Sequence, residues 1–168
     1  MDTRRLGKGM WIVMWLLVLG LLTLVFDSML EKQRNPNTEP TSYSDGAVRE
    51  VVLQRNRYGH YIANGTINGS QVEFLLDTGA TAVAVPADIA SRLGLREGAQ
   101  VQFQTANGST YGYLTWLDHV GLGEIRLDDV RASINPSMDG DSVLLGMTFL
   151  KHLEFTQRGD TLVLRQYQ

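Results

Sequence analysis

One segment near the N-terminus limits what this chain can fold into. From Met10 to Phe26 it runs for seventeen residues without a charge, as MWIVMWLLVLGLLTLVF. A helix rising ~1.5 Å per residue would span roughly 25 Å over this segment, which is the short end of what crosses a bilayer. Because every face of that helix is apolar, a helix packed inside a soluble core is the weakest interpretation.

A cleavable signal peptide is the main alternative to an uncleaved anchor. The apolar region of a signal peptide is usually ~7–15 residues long and leads into a cleavage site of small residues. No alanine occurs before Ala47 in this chain. We therefore favour a transmembrane anchor over residues 10–26.

The charges on either side of this segment predict its orientation. Before it stand three basic residues and one acidic residue, whereas the charges that follow it balance one another: Arg4, Arg5, Lys8 and Asp2 before, and Asp27, Glu31, Lys32 and Arg34 after. Because positive flanks stay in the cytoplasm, we expect residues 1–9 to be cytoplasmic and the rest of the chain to lie across the membrane. In a bacterium, this arrangement is a single-pass inner-membrane protein with a periplasmic domain.

Residues 27–47 have the composition of a flexible linker. They contain Pro36, Pro40 and mostly polar side chains, with few apolar residues to bury. A flexible coil of ~20 residues has a mean reach of roughly 25 Å, so the following domain would work close to the membrane. We also consider self-cleavage within residues 27–50.

Composition excludes several classes of function. With 168 residues and a net charge of −3, the chain offers one globular domain and no basic surface for nucleic acid. The absence of cysteine excludes disulfides, thiolate metal sites and a cysteine nucleophile. The three histidines match no metal-ligand spacing, and we expect neither a metal nor an organic cofactor.

Residues 48–168 have the rhythm of an all-β domain, with short apolar runs separated by turn signals. Short strands, mostly antiparallel, are predicted to form a closed barrel, with one short helix from Pro86 to Gly94. Asn68-Gly69 predicts a type I′ hairpin turn. The predicted strands cover residues 48–54, 60–67, 71–76, 82–85, 101–105, 110–117, 125–134, 143–145, 154–157 and 161–165. A helical turn is predicted over residues 148–152.

The most informative stretch is Phe74-Leu-Leu-Asp-Thr-Gly-Ala-Thr81. Burying an unpaired carboxylate after three large apolar residues costs several kcal/mol, so Asp77 must be at a surface, hydrogen-bonded or kept for chemistry. Gly79 lets the backbone approach the carboxylate, and Thr78 supplies a hydroxyl. Taken alone, the tripeptide is equally compatible with an ordinary turn after a strand.

Its context resembles the retropepsin-like aspartic proteases. An apolar strand leads into Asp77-Thr78-Gly79, and Leu144-Leu145-Gly146 precedes a helical turn about 65 residues later. The resemblance runs from about Arg57 to Arg165. It implies a closed β barrel that works as a symmetric homodimer, with Asp77 as the catalytic residue of each subunit.

The resemblance also assigns supporting roles. Thr78 would bond to the partner's loop, and Gly146 would leave room beneath the catalytic loop. The hairpin over residues 104–116 would close over substrate as a flap. Asn107 and Gly108 at its tip, together with Ala80, are the candidate substrate contacts.

The chemistry itself calls for two chains. Hydrolysis of a peptide bond by carboxylates needs two of them sharing one proton. The sequence has no second Asp-Thr/Ser-Gly, since Asp141-Ser142 continues to valine and Asp160-Thr161 to leucine. The second carboxylate would come from a second copy of the chain, and membrane anchoring raises the effective concentration of that copy.

The sequence therefore predicts a membrane-anchored aspartic endopeptidase that binds an extended polypeptide across the dimer axis. The alternative is a catalytically silent module on the same fold, which binds peptide or dimerises at the membrane. A silent module would be expected to lose the acid, and this chain keeps Asp77.

Overall fold

The computed structural model describes residues 3–105 and 108–167. It begins with one long helix, α1 (Thr3–Arg34), on which the large apolar side chains described between Met10 and Leu30 are exposed. A core helix would bury at least one face, so this exposure rules out that interpretation. By length and composition, α1 could cross a membrane over Val13–Arg34, where the mean hydropathy is 2.2.

A β domain follows the helix. Its described part contains eleven strands and two short helices, α2 (Ala87–Arg92) and α3 (Met147–Leu150). The strands are β1 (Thr41–Ser44), β2 (Val48–Gln54), β3 (Ile62–Ile67), β4 (Ser70–Leu76), β5 (Val83–Pro86), β6 (Gln100–Thr105), β7 (Gly108–Leu122), β8 (Ile125–Asn135), β9 (Ser142–Leu145), β10 (Glu154–Arg158) and β11 (Thr161–Tyr167).

The strands form two sheets. The smaller sheet has the order β1-β2-β11-β10, and all its pairs are antiparallel. The larger sheet has the order β3-β4-β9-β5-β8-β7-β6, with parallel pairs at β4–β9 and β5–β8. It curls back on itself, because β3 also pairs with β7 at Thr66↔Gly121 and Ile67↔Val120. The predicted all-β architecture is confirmed, in the form of this curled sheet and a second, separate sheet.

Both sheets contribute to one apolar core. Alternate residues of the small sheet are buried, as the period of a strand requires: Val51, Leu53, Leu162 and Leu164. The large sheet buries Phe74, Leu117 and Leu145 against them, and α3 adds Phe149. Full burial of side chains of this size contributes about 1.5–3 kcal/mol each, so the core supplies most of the drive to fold.

Most of the predicted elements are present. Asn68 and Gly69 have φ angles of 50° and 81°, which agrees with the predicted type I′ turn. The predicted helix from Pro86 to Gly94 is shorter, because Pro86 is the last residue of β5 and α2 ends at Arg92.

Strand β7 extends five residues beyond its predicted end at Leu117. Alternation fails there, since Asp118 and His119 are both exposed, and Asp129 on the paired strand has a φ of 53°. Beyond this irregularity the opposite face of the β7–β8 hairpin turns inward and buries Val120. Because the alternation is broken here, the sequence pattern predicts the end of β7 five residues too early.

The predicted flexible linker is wrong as a description of residues 27–44. Helix α1 continues to Arg34, and β1 pairs with β2 through four register pairs. Between them, Asn35 and Asn37 are only 1% and 3% exposed. The polar composition suggested disorder, whereas these amides are hydrogen-bonded to the β domain.

Candidate active site

Asp77 lies at the start of a tight loop that leaves β4. The backbone N–H of Asp77 donates to the carbonyl of Leu145, at 3.2 Å, and the Gly79 N–H donates to Asp77 Oδ1, at 2.8 Å. The side chain is half-buried, and Thr78 and Gly79 beside it are exposed. A half-buried carboxylate with one oxygen held by a backbone donor has a fixed direction and remains open to solvent from one side.

The strand next to Asp77 carries the second predicted motif. Strands β4 and β9 are parallel with Leu76 opposite Leu145, so Asp77 and Gly146 follow directly at the same edge of the sheet. Met147 N–H donates to the carbonyl of Ala80 at 2.8 Å, which ties the start of α3 to the Asp77 loop. The carboxyl ends of two neighbouring parallel strands thus build one site.

Gly146 is required by a close approach. A Cβ at this position would lie 2.7 Å from the carbonyl oxygen of Ala80, and closer still to that of Ala82. Real Cβ atoms do not come this near to backbone atoms, so any side chain would push the Asp77 loop away from α3.

Thr148 is a supporting residue that the sequence analysis missed. Its hydroxyl accepts a hydrogen bond from Val83 N–H at 2.9 Å, and its own N–H donates to the carbonyl of Thr81 at 3.1 Å. The two bonds fasten the far end of the Asp77 loop to α3. The available signal was a threonine two residues after Gly146, at the start of the predicted helical turn.

The remaining predicted site residues lie in two places. Ala80 belongs to the Asp77 loop and is half-buried. Gly108 is the first residue of β7 and pairs with Thr105 in the β6–β7 hairpin. Asn107 lies outside the described residues. The structure thus brings Asp77, Ala80 and Gly146 together, and places Gly108 in a separate hairpin.

The described residues offer no cluster of three His, Cys, Asp or Glu side chains that could hold a metal ion. The chemistry available at this site is that of a carboxylate with backbone N–H groups around it. Such a group can accept or return a proton, and a second carboxylate would be needed to do both in one step.

Comparison with known proteins decides the family. The model of the family described as "gag-polyprotein putative aspartyl protease" matches residues 63–152, which are more than half of the chain. The chain belongs to this aspartyl protease family. The match contains the Asp77 loop, Gly146 and the β6–β7 hairpin, and leaves out α1 and the small sheet.

Three relatives extend the comparison. A solved structure titled as a retropepsin-like aspartic protease from Rickettsia conorii superposes with a TM-score of 0.60 at 28% identity, covering 76% of this chain and 96% of that one. An uncharacterised Sinorhizobium protein from the cobV 5′ region is 31% identical over 98% of this chain and 76% of its own length. An uncharacterised Rickettsia prowazekii protein is 26% identical over 93% of this chain and 69% of its own length.

These matches establish a retropepsin-like fold for this aspartyl protease family member. The Sinorhizobium match covers nearly the whole chain, so it includes most of α1 as well as the β domain.

Proposed function

We propose that this chain is an aspartic endopeptidase whose active site is shared by two copies, each contributing Asp77. The observation that carries the proposal is the Asp77 carboxylate, oriented by Gly79 N–H at the carboxyl ends of β4 and β9. Membership of an aspartyl protease family and the likeness to the Rickettsia conorii protease support it.

The two carboxylates would share one proton. The ionised Asp77 takes a proton from a water molecule, whose oxygen attacks the peptide carbonyl carbon, while the protonated Asp77 gives its proton to the carbonyl oxygen. The tetrahedral intermediate then collapses: one of its hydroxyls gives its proton to the ionised Asp77 as the carbonyl re-forms, the carbon–nitrogen bond breaks, and the amine leaves with the proton of the other Asp77. One Asp-Thr-Gly per chain makes the second copy necessary.

The substrate in this proposal is an extended polypeptide that lies in a groove across the dimer axis. Ala80 would contact it beside the catalytic loop, and the β6–β7 hairpin, with Asn107 and Gly108 near its tip, would close over it. Main-chain hydrogen bonds along an extended peptide would supply most of the affinity.

Helix α1 would anchor each copy in a membrane. In this proposal the basic residues before the apolar segment keep the N-terminus in the cytoplasm, and the β domain lies on the other side of the membrane. Because the named relatives come from bacteria, we place the domain in the periplasm.

The first test is Asp77→Asn in the full chain, reconstituted in lipid. We expect cleavage of an unfolded protein to fall by roughly 10²- to 10⁴-fold, since the variant cannot ionise. The matched control is Asp141→Asn, an exposed aspartate in the turn before β9. Full activity of Asp77→Asn would disprove the assignment, and a folded dimer that cleaves nothing would favour the silent binding module.

Mixing wild-type and Asp77→Asn subunits tests the shared site. If both copies are needed, an equal mixture that exchanges subunits should retain about one quarter of the wild-type activity, because only wild-type pairs are active. Retention of one half would mean that each chain works alone.

A further inference from the structure

The contact between α1 and the β domain is built mainly from side-chain hydrogen bonds. The C-terminal end of α1 is held by three residues of the domain. Asn56 Nδ2 donates to the carbonyl of Arg34 at 2.9 Å, and Arg57 donates to Gln33 Oε1 at 2.8 Å. The Glu73 carboxylate accepts hydrogen bonds from both terminal nitrogens of Arg34, at 3.2 Å to Oε1 and 2.8 Å to Oε2.

Asn37 fastens the chain directly after the helix. Its side-chain Nδ2 donates to the carbonyls of Gln54 at 2.9 Å and Ile62 at 2.7 Å, and its Oδ1 accepts from Gln54 N–H at 2.6 Å. Gln54 ends β2 in the small sheet, and Ile62 begins β3 in the large one. One buried amide, with both donors and its oxygen engaged, thus connects α1 to both sheets.

Asn35 joins the same network on its other side. Its Nδ2 lies 3.0 Å from Asn64 Oδ1 and 3.1 Å from Glu73 Oε2, and its Oδ1 accepts from Asn37 N–H at 3.0 Å. We call residues 34–37 the clasp. Pro36 within it has a restricted backbone, which removes a further source of motion.

The clasp contacts β4, the strand that leads into the Asp77 loop, and is linked to β9 through Glu73. Glu73 lies on β4, opposite Ser142 on β9, and the Ser142 hydroxyl donates to Glu73 Oε1. Asp77 and Gly146 each lie four residues beyond this pair, which corresponds to about 13 Å at 3.3 Å per residue. A rigid path therefore runs from the helix end to the catalytic loop.

We propose that the clasp makes α1 and the β domain one rigid body, and that the enzyme consequently cleaves only extended segments at a set distance from the membrane. The second half rests on the proposed function and on anchoring by α1. Residues 27–34 are helical, so the domain would stand about 12 Å beyond the apolar segment on a stiff stem rather than on a coil. The substrate class is then polypeptide close to the membrane, such as the segment of a membrane protein next to its own span.

Distance measurements test the rigid body without any need for activity. The chain has no cysteine, so Ser28→Cys on α1 and Ser70→Cys on the domain can be spin-labelled as the only pair. The full chain is reconstituted in lipid with an excess of unlabelled protein, which dilutes distances between copies. We expect one narrow distance distribution in double electron–electron resonance.

The clasp is then broken in the labelled protein. Asn35→Ala with Asn37→Ala should broaden the distribution, whereas Thr38→Ala with Glu39→Ala, two exposed neighbours, should leave it narrow. Asn37→Asp keeps the size of the side chain and serves if the double alanine variant fails to fold. A wild-type distribution already as broad as that of the broken clasp would overturn the proposal.

A flexible insertion tests the effect on substrate choice. Ten Gly and Ser residues inserted between Phe26 and Asp27 allow the distance between the β domain and the membrane to vary, while every contact of the clasp stays in place. The substrates are membrane-anchored peptides with one cleavable segment at increasing distances from the bilayer. We expect wild-type cleavage to vary by about tenfold or more with distance, and the insertion variant to lose this preference.

The outcomes separate the two proposals. Cleavage that depends on Asp77 but is equal at all distances would overturn the inference and leave the proposed function in place. Cleavage by neither wild type nor Asp77→Asn would overturn the proposed function and the substrate class with it, whereas the rigid body would still be decided by the distance distributions.

Discussion

Two segments that contact β4, the Asp77 loop and the clasp, are held in different ways. The Asp77 loop is fixed mainly by backbone groups, through Leu145, Ala80 and the N–H of Gly79. The clasp is fixed mainly by side chains, through Asn37 and Glu73. Main-chain contacts tolerate many side chains but demand glycine where atoms approach closely, whereas side-chain contacts demand particular amides and carboxylates.

This difference determines what each region reveals in the sequence. The Asp77 loop depends on consecutive residues around one turn, so it is recognisable in the sequence as a local motif. Arg34 and Glu73 lie 39 residues apart, and Asn37 and Ile62 lie 25 apart. Asn35, Pro36 and Asn37 have the composition of a linker, so nothing local distinguishes the clasp from disorder.

The largest effect on stability should come from Gly146→Ala. The new Cβ would collide with the carbonyls of Ala80 and Ala82, and the backbone cannot yield without breaking the bond from Met147 N–H. We expect a loss of about 3 kcal/mol in the free energy of unfolding. Chemical unfolding of the full chain in detergent micelles, followed by tryptophan fluorescence, measures it.

Gly79→Ala is the matched control within the same loop. Its Cβ would meet Asp77 Oδ1 at 3.1 Å, with no backbone atom of another segment as near. This variant should lose less stability than Gly146→Ala but should disturb the orientation of the carboxylate. Equal losses in the two variants would contradict the view that close backbone approach is what the loop depends on.

The sequence predicted the fold where local patterns are strong. Alternating apolar residues placed β2, β3, β4 and β8 within one or two residues, and the Asn68-Gly69 turn followed from its need for positive φ. It missed the end of β7, because two consecutive exposed residues, Asp118 and His119, interrupt the alternation opposite Asp129, which is in a left-handed conformation. It also missed the support by Thr148, which depends on a contact 65 residues away.

An intermediate effect on the free energy of unfolding is expected from Glu73, a contact residue of the clasp. Glu73 is 13% exposed and its partner Arg34 is 51% exposed, so the ion pair is partly shielded from water. Glu73→Gln should lower the free energy of unfolding by about 1–2 kcal/mol, since it removes a charged acceptor of several hydrogen bonds. Unfolding in the same micelles gives the value.

A double-mutant cycle isolates the contact itself. Arg34→Gln and the double variant complete the cycle, and we expect a coupling of about 1 kcal/mol that shrinks as salt is added. Additive losses would mean that Glu73 acts through Ser142 and Asn35 alone, and that the ion pair contributes nothing to holding the helix.

The smallest effect should come from a side-chain network that is exposed and belongs to neither region. Asp128 Oδ1 lies 2.7 Å from His119 Nδ1 and 3.1 Å from Arg126 Nε. The pKa of the Asp128 carboxyl is lower than its ordinary value of 3.8, mainly because of the hydrogen bond from His119 and then because of the hydrogen bond from Arg126. Because the folded-state pKa is the lower one, the stabilisation is present above the unfolded value and disappears as the pH falls through the folded value.

Asp128→Asn should therefore be slightly less stable than wild type near about pH 7, and the difference should vanish at a pH below the lowered pKa. The variant Asp118→Asn, on the same hairpin and also exposed, is the control. A loss as large as that of Glu73→Gln would contradict the ranking, because water competes for exposed charges and should leave such a pair with little net effect.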